Sequence, residues 1–571
     1  MDDAGTVVFS GSAKATVVAG KTATVTVDLQ ELLGSLTVEF TVPAESTATS
    51  FTVEVSDSKD FSESKPVSDG TSVLFNDLIP GSYTISVQGM NASTVVLSGS
   101  AKATVVEGQP VTATVNLELS PGILTVNFSE TGDSTASNFT IELTGSNGTT
   151  PIKTVSGGST VQFDDLAPDT YNISVKGNDA SGLVVLYGTS DAAVTAGATA
   201  SAEVDLMGVV NDLSSLQQAV TAGGTIYIGS DINVASPLTV NTDVTLLPAY
   251  KNVTLTNNSS GNLFTVADSS GNLTIGGGEY TITLDGNQVA QSIISVSGGT
   301  ATLADNGIIT NAAASGIKIS SSGTFEMTGG EISKNKESST SNAGGGVTIS
   351  GGTFNMTGGE ISNNESSTYN GGGGITISGG IFNMTGGRII DNTGSQSSGG
   401  VTVSSATFNM TGGTITDNTG SFGGAVSLVS GTFDMRGGSI TGNTAGNKGG
   451  GVSVSGGTFE LLGGSISNNS ANQGSGVQVG AGTFKMGGSA VIASDNDVYL
   501  NNSKTITITG ELTGGDTVAT ITLASYNEGT QVLSAESGVD LANEVGKFAV
   551  TPNPADDSEW TIDPNTGNLV Q

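Results

Sequence analysis

The sequence predicts an all-β chain in which tandem β-sandwich domains precede a parallel β-helix. Three observations predict it. Val, Ile, Phe and Leu stand in short alternating runs, whose period of two belongs to strands. One segment returns with an offset of 88 residues, and a second, shorter unit returns every 25 to 29 residues. The composition agrees, because 84 Gly with plentiful Ser, Thr and Asn supply turns while only 12% of residues are charged.

The longer repeat comes first. Leu36 returns as Leu124, Phe51 as Phe139, Phe75 as Phe163 and Tyr83 as Tyr171, and VLFNDLIPGSYTISV is echoed by VQFDDLAPDTYNISV. Each copy holds six or seven short alternating runs with turn signals between them, which predicts antiparallel sandwiches over 34–120 and 121–207. The pattern F-x-D-L-x-P-G-x-Y resembles the Ig-like, prealbumin-like and Cna-B-like stalk domains of bacterial surface proteins. Residues 1–33 match the end of the same unit, since FSGSAKATVVAGKTATVTVDL at Phe9 repeats LSGSAKATVVEGQPVTATVNL at Leu97. Two strands cannot bury both faces alone. The tail is therefore expected to be the end of an incomplete sandwich, completed by upstream sequence or by a neighbour.

Near Met207 the pattern changes. NDLSSLQQAVTAGG reads as a helix over 211–222, with Asp212 as N-cap, Leu213, Leu216 and Val220 on one face, and Gly223 and Gly224 as the stop. An amphipathic helix here would cover the open end of the strand stack that follows. That stack is expected over 208–510, in about eleven rungs, with a C-terminal β cap over 511–571.

The shorter repeat carries the stack. Phe325, Phe354, Phe382, Phe408, Phe433, Phe459 and Phe484 each lie in a unit of the form G-T-F-x-M-x-G-G-x-I-x-x-N, and G-G-V-x-V segments stand between units. Each unit is read as three strands; in the second copy they carry Val347 and Ile349, then Phe354 and Met356, then Ile361. Stacking coils at about 4.8 Å places like residues over like, so the apolar pairs become interior ladders. Ten residues after the first six phenylalanines stand Asn335, Asn364, Asn392, Asn418, Asn443 and Asn469. These asparagines are expected to take the left-handed turn conformation and to bond rung to rung. The seventh position is Ser494, so the regular stack is expected to end near it. Length variation follows each Asn, as in ESSTSNA, ESSTYN, TGSQSS and TGSF, and marks a solvent-facing corner.

The GGGV and I-S-N-N pattern resembles the single-stranded, right-handed, pectin-lyase-like β-helix repeats of bacterial and archaeal surface proteins, including the polymorphic outer-membrane protein family. The resemblance covers about 210–510 and implies a fold, not an activity. No C-terminal membrane barrel is recognisable.

The formal net charge of −35, with Lys and Arg together only 17, excludes the basic footprint that nucleic acid requires and argues against an anionic membrane. Without Cys there are no disulfides or thiolate metal sites, and no metal or cofactor is expected. No run of 18 apolar residues stands ready to span a membrane, and MDDAGTVVF carries no export signal. With no His and only Arg388 and Arg436 as arginines, the usual bases of a polysaccharide lyase are lacking. Asp391 and Asp417 occupy one position on successive units and could serve a carboxylate hydrolase. The same position holds Lys334, Asn363, Gly442 and Asn468, which reads as a solvated corner. Threonine files at Thr353 and Thr357 raise ice binding, but Asn355, Asn383, Asn409 and Asp434 stand between them. Tyr369 and Phe422 lie in the variable corner and, with Asp391 and Asp417, are the candidate ligand contacts. The sequence thus points to a non-enzymatic extracellular or cell-surface protein of bacterial or archaeal type. An adhesin or structural display protein comes first, meeting a host or cell-surface protein or glycan. A fibre subunit assembling with itself through its N-terminal strands, and a polysaccharide-binding or polysaccharide-degrading protein, are the alternatives.

Overall fold

The computed structural model describes residues 9–68, 70–130, 135–289, 291–338 and 342–571. The chain forms two compact units, Met1–Met207 and Gly208–Gln571. It is all-β, with β-sandwich sheets in the first unit and a β-solenoid of about 12 turns in the second.

In the first sandwich, Gly34–Thr41 pairs antiparallel with Ser72–Leu78 and parallel with Pro110–Asn116. Facing it is a five-stranded sheet of Ser62–Val67, Ser50–Ser56, Gly81–Asn91, Thr94–Val105 and Glu118–Leu119. The second sandwich repeats the plan, with Gly122–Glu130 antiparallel to Thr160–Leu166 and parallel to Thr199–Val210. The sandwiches are therefore not purely antiparallel. Leu36, Phe75 and Tyr83, with their counterparts Leu124, Phe163 and Tyr171, fill the two cores, and each tyrosine hydroxyl donates four residues back, to the carbonyls of Ile79 and Ala167. The Asp before the Leu of each F-x-D-L segment, Asp77 or Asp165, has a positive φ where the register against Gly34–Thr41 or Gly122–Glu130 shifts. A bulge needs a residue that tolerates that conformation, and Asp does.

The first eight residues of the tail lie outside the described residues. Beyond them, only Phe9–Ser10 and Gln30–Glu31 pair as strand, so the two expected strands do not form over residues 11–29. Edges with no sheet to join have nothing to repay their ordering.

The second unit opens with the helix Leu213–Ala222. Asp212 and Ser215 form a reciprocal capping box, Gly223 ends the helix at φ 81°, and Leu216 and Val220 are buried on the first rungs. Leu213 packs against the same core, which runs without a break from Val210 to Leu569. Every rung pairs parallel with the next, and register shifts fall between the strands' core positions, as at Ser350 and Arg436. Phe325, Phe354, Phe382, Phe408, Phe433, Phe459 and Phe484 form one buried column, continued by Ile506. From Phe354 onward the rings stack face to face, with centroids 4.6 to 5.1 Å apart. That spacing is the rung repeat itself, so ring contact and strand pairing are satisfied together.

The glycine pairs that follow each Phe strand are sterically required. Gly387 sits at φ 77°, and a Cβ on Gly386 would lie 2.2 Å from the carbonyl oxygen of Thr357 on the rung before. Parallel pairing continues past residue 510 through Ala519–Leu523, Leu533–Ala535 and Phe548–Val550. The antiparallel pair Thr561–Ile562 and Leu569–Val570 follows. Near it Glu544, almost wholly buried, accepts from the Leu512 N–H at 3.0 Å and pairs with Lys547 at 3.0 Å.

Candidate binding surface

Inside the solenoid the six expected asparagines form a continuous hydrogen-bonded column. Each Nδ2 donates to Oδ1 of the Asn on the next rung at 2.9 to 3.0 Å, and the backbone N–H of each donates to the same oxygen. One expectation is extended and one changes. The column ends near Ser494 as expected but includes one more member, because Asn496, two residues on, receives the bond from Asn469 at 2.9 Å and passes none to a further asparagine. The ladder asparagines do not adopt the left-handed conformation; the residue before each of them does. Lys334, Asn363, Asp391, Asp417, Gly442 and Asn468 have φ between 54° and 72°. Asn, Asp and Gly are the residues that enter this region most easily, which accounts for the mixture at that position.

Asp391 and Asp417 are thus exposed turn residues on successive rungs, and Asp417 accepts a 2.9 Å bond from the hydroxyl of neighbouring Thr416. Tyr369 is 69% exposed and Phe422 39% exposed. Both belong to the variable corner, two rungs apart, and the structure does not gather the four candidates into one pocket.

The variable corner itself is more than a loop. Lys336–Glu337, Glu365–Ser366, Thr393–Gly394, Thr419–Phe422 and Thr444–Lys448 form a fourth parallel sheet outside the three expected ones. Residues 339–341 of the longest corner lie outside the described residues. The corner backbone folds back over the adjoining strands, so Thr348, Thr376, Thr402, Ser427 and Ser453 are buried although alternation turns them outward from the core. They make a polar second layer. The N–H groups of Gly344 and Gly372 donate to the hydroxyls of Thr348 and Thr376 at 2.8 Å, and Ser398 bonds Thr402 at 2.7 Å. The glycine runs permit this approach, since a Cβ on Gly373 would lie 2.5 Å from the carbonyl oxygen of Gly399.

On the outer side of the phenylalanine strands a second file lies at the surface. Asn355, Asn383 and Asn409 each donate at 2.8 Å to the preceding rung, beginning at Glu326. With Thr357, Thr385 and Thr411 they line a shallow groove of about 470 Å³. The file changes chemistry at Asp434, which has no amide N–H for Asn409. Its Oδ2 is held by Arg436, while its buried Oδ1 has no hydrogen-bond partner. Farther along, Lys485 bridges Glu460 at 3.2 Å and Glu536 at 2.9 Å, and the hydrogen bonds it donates to those carboxylates, Glu536 first, push its pKa up.

Among the described residues no cluster of three acidic or other ligating side chains could hold a metal ion, and no helix is long and apolar enough to cross a membrane.

No family model and no curated protein matches the chain. Solved structures offer partial similarities. The Bacillus anthracis TIE protein is 17% identical over 36% of this chain and 44% of its own, with a TM-score of 0.19; this chain therefore spans less than half of that one. The minor pilin of Streptococcus agalactiae is 13% identical over 31% of this chain and 97% of its own, with a TM-score of 0.15. The fimbrial anchor protein of Porphyromonas gingivalis is 14% identical over 27% of this chain and 81% of its own, also with a TM-score of 0.15. At scores this low none of them assigns a function to the chain.

Proposed function

We propose that the chain is a non-catalytic extracellular surface protein, an adhesin or structural display element whose solenoid presents its outer faces to a protein or glycan. One observation carries this reading: a single unbroken core, with phenylalanine and asparagine columns in strict register, makes a rod whose outer polar files repeat rung after rung. Such a surface suits extended, repeated contact. The test is a glycan and host-protein binding array run beside a polysaccharide depolymerisation assay. Binding without cleavage is the expected result; cleavage abolished by Asp391→Asn would replace the reading with hydrolysis.

A second reading, self-assembly through the tail, is favoured by a specific contrast. Phe9, Val17 and Leu29 are 47%, 77% and 63% exposed, whereas Leu97, Val105 and Leu117, their counterparts in the first sandwich, are 0%, 1% and 6% exposed. Among the described residues nothing covers these apolar side chains of the tail, and strand addition from another copy would cover them. Light scattering after size exclusion, on the full chain and on one starting at Gly34, tests this. Oligomers lost on deletion support assembly, and two monomers eliminate it.

A further inference from the structure

The outer file of Asn355, Asn383 and Asn409 runs between two carboxylates. Glu326 holds the same register position one rung before it, and Asp434 holds it one rung after. The five side chains make four junctions, which at about 4.8 Å per rung span about 19 Å. An ionised carboxylate only accepts, while an amide turns its nitrogen to one neighbour and its oxygen to the other. Three amides therefore supply three donors to four junctions. One junction must set oxygen against oxygen.

In the structure that junction is the last. Asn355, Asn383 and Asn409 all donate toward Glu326, each at 2.8 Å, which closes the first three. Asn409 thereby turns its oxygen to the rung of Asp434, whose buried Oδ1 has no hydrogen-bond partner. Among the described residues the three outer side chains bond only along their own file. The inner column differs, because there each amide also meets strand carbonyls and a backbone N–H, as at Asn418, and its direction is fixed. The outer asparagines are only partly buried, so no packed core resists a half-turn of their amides.

We propose that the open junction is mobile and couples Glu326 to Asp434 through the file. Each half-turn of the amide beside it breaks one bond, makes one, and moves the opening by one rung, so the two carboxylates compete for the same three donors. A donor that engages Glu326 releases the amides to serve Asp434. Because Glu326 and the three asparagines line the shallow groove, the same movement exchanges N–H for oxygen along its wall. What meets one end of the groove then sets the hydrogen-bonding pattern of the rest. This inference goes beyond the display reading and does not depend on it.

The test adds a donor at either end of the file, with Glu326→Gln, Asp434→Asn and the double substitution in the full chain. Both changes are isosteric at partly exposed sites, and circular dichroism verifies folding. Either one supplies the fourth donor and closes the file, so each should raise the urea midpoint of the solenoid. The double variant has no opening left to close, and its midpoint should match the higher single variant, although sites about 19 Å apart ordinarily add. Direction is read from side-chain amide spectra of protein labelled with nitrogen-15 asparagine, each resonance assigned by replacing that asparagine singly. Asn383 neighbours neither substituted residue, yet its amide should point toward Asp434 in the first single variant and toward Glu326 in the second, with distinct resonances. Identical Asn383 resonances in the two, midpoint shifts that sum, or no rise for Glu326→Gln would overturn the coupling.

Discussion

Replacing Asn418 by Ala removes the middle of the asparagine column, and the loss can be worked bond by bond. The side chain's Oδ1 accepts from the N–H and Nδ2 of Asn392, while its Nδ2 donates to the Ile389 and Thr416 carbonyls and to Oδ1 of Asn443. These contacts lie in the buried column, where water does not replace them. The two Nδ2 hydrogens are shared among three acceptors, so the side chain counts as about four full bonds, and at about 1 kcal/mol net each Asn418→Ala should destabilise the solenoid by about 4 kcal/mol. Asn409→Ala is the control, because it removes one partly buried bond, to Asn383, and should lose about 1 kcal/mol. Urea unfolding followed by far-UV circular dichroism measures both. Because sandwiches and solenoid need not unfold together, hydrogen exchange at Thr393 and Thr419, whose N–H groups bond the Asn364 and Asn392 carbonyls, isolates the affected rungs. Equal losses for the two substitutions would refute the claim that the inner column, and not amide stacking in general, locks the rungs.

Asp434→Asn should stabilise the rod by about 1 kcal/mol, seen as a raised urea midpoint, because the new amide can donate to Asn409 while the Arg436 pair it gives up is exposed. Phe408→Ala should lose about 3 to 5 kcal/mol from the stacked column, and Thr407→Ala on the outer face about 0.5 or less; comparable midpoint shifts would mean that inside and outside are reversed. Hydrogen bonds from the Ser215 backbone and hydroxyl hold the Asp212 carboxylate below its usual range. A depressed folded-state pKa gives stability that is complete above the unfolded value and fades as pH falls through the folded one. Acid should therefore raise exchange across Leu213–Ala222, and Asp212→Asn should flatten that dependence while keeping the cap.

The parts of the fold set by strict period were readable in advance. Phe325 to Phe484, the inner asparagines and the capped helix all follow from spacing and residue type, because stacking in register forces repetition. The fourth sheet was not readable. Thr348 and Thr376 alternate with core residues as surface threonines do, and only the folded corner shows them buried, with Gly344 and Gly372 bonded to them. The glycine runs were the available signal, since three or four in succession exceed what a single turn requires. Asn496 escaped notice because its corner is offset by two residues from the earlier spacing. The parallel pairing inside each sandwich had no local signature at all; it joins the first and last long strands of a repeat, and alternation is blind to strand direction.

The asparagine column has one more consequence, for how such a chain can change length. Each rung presents the same acceptor to the rung before and the same donor to the rung after, so the joints are interchangeable. Excising Glu365 to Asn392 would join Asn364 to Thr393 and hand Asn364 directly to Asn418, with Phe354 falling on Phe408. No new side-chain chemistry is needed at the seam. Unequal crossing-over between two such units would therefore yield a folded protein one rung shorter or longer, whereas a cut inside either sandwich would strand half a sheet. The reach of the rod is in this sense an adjustable trait, heritable in steps of a single turn.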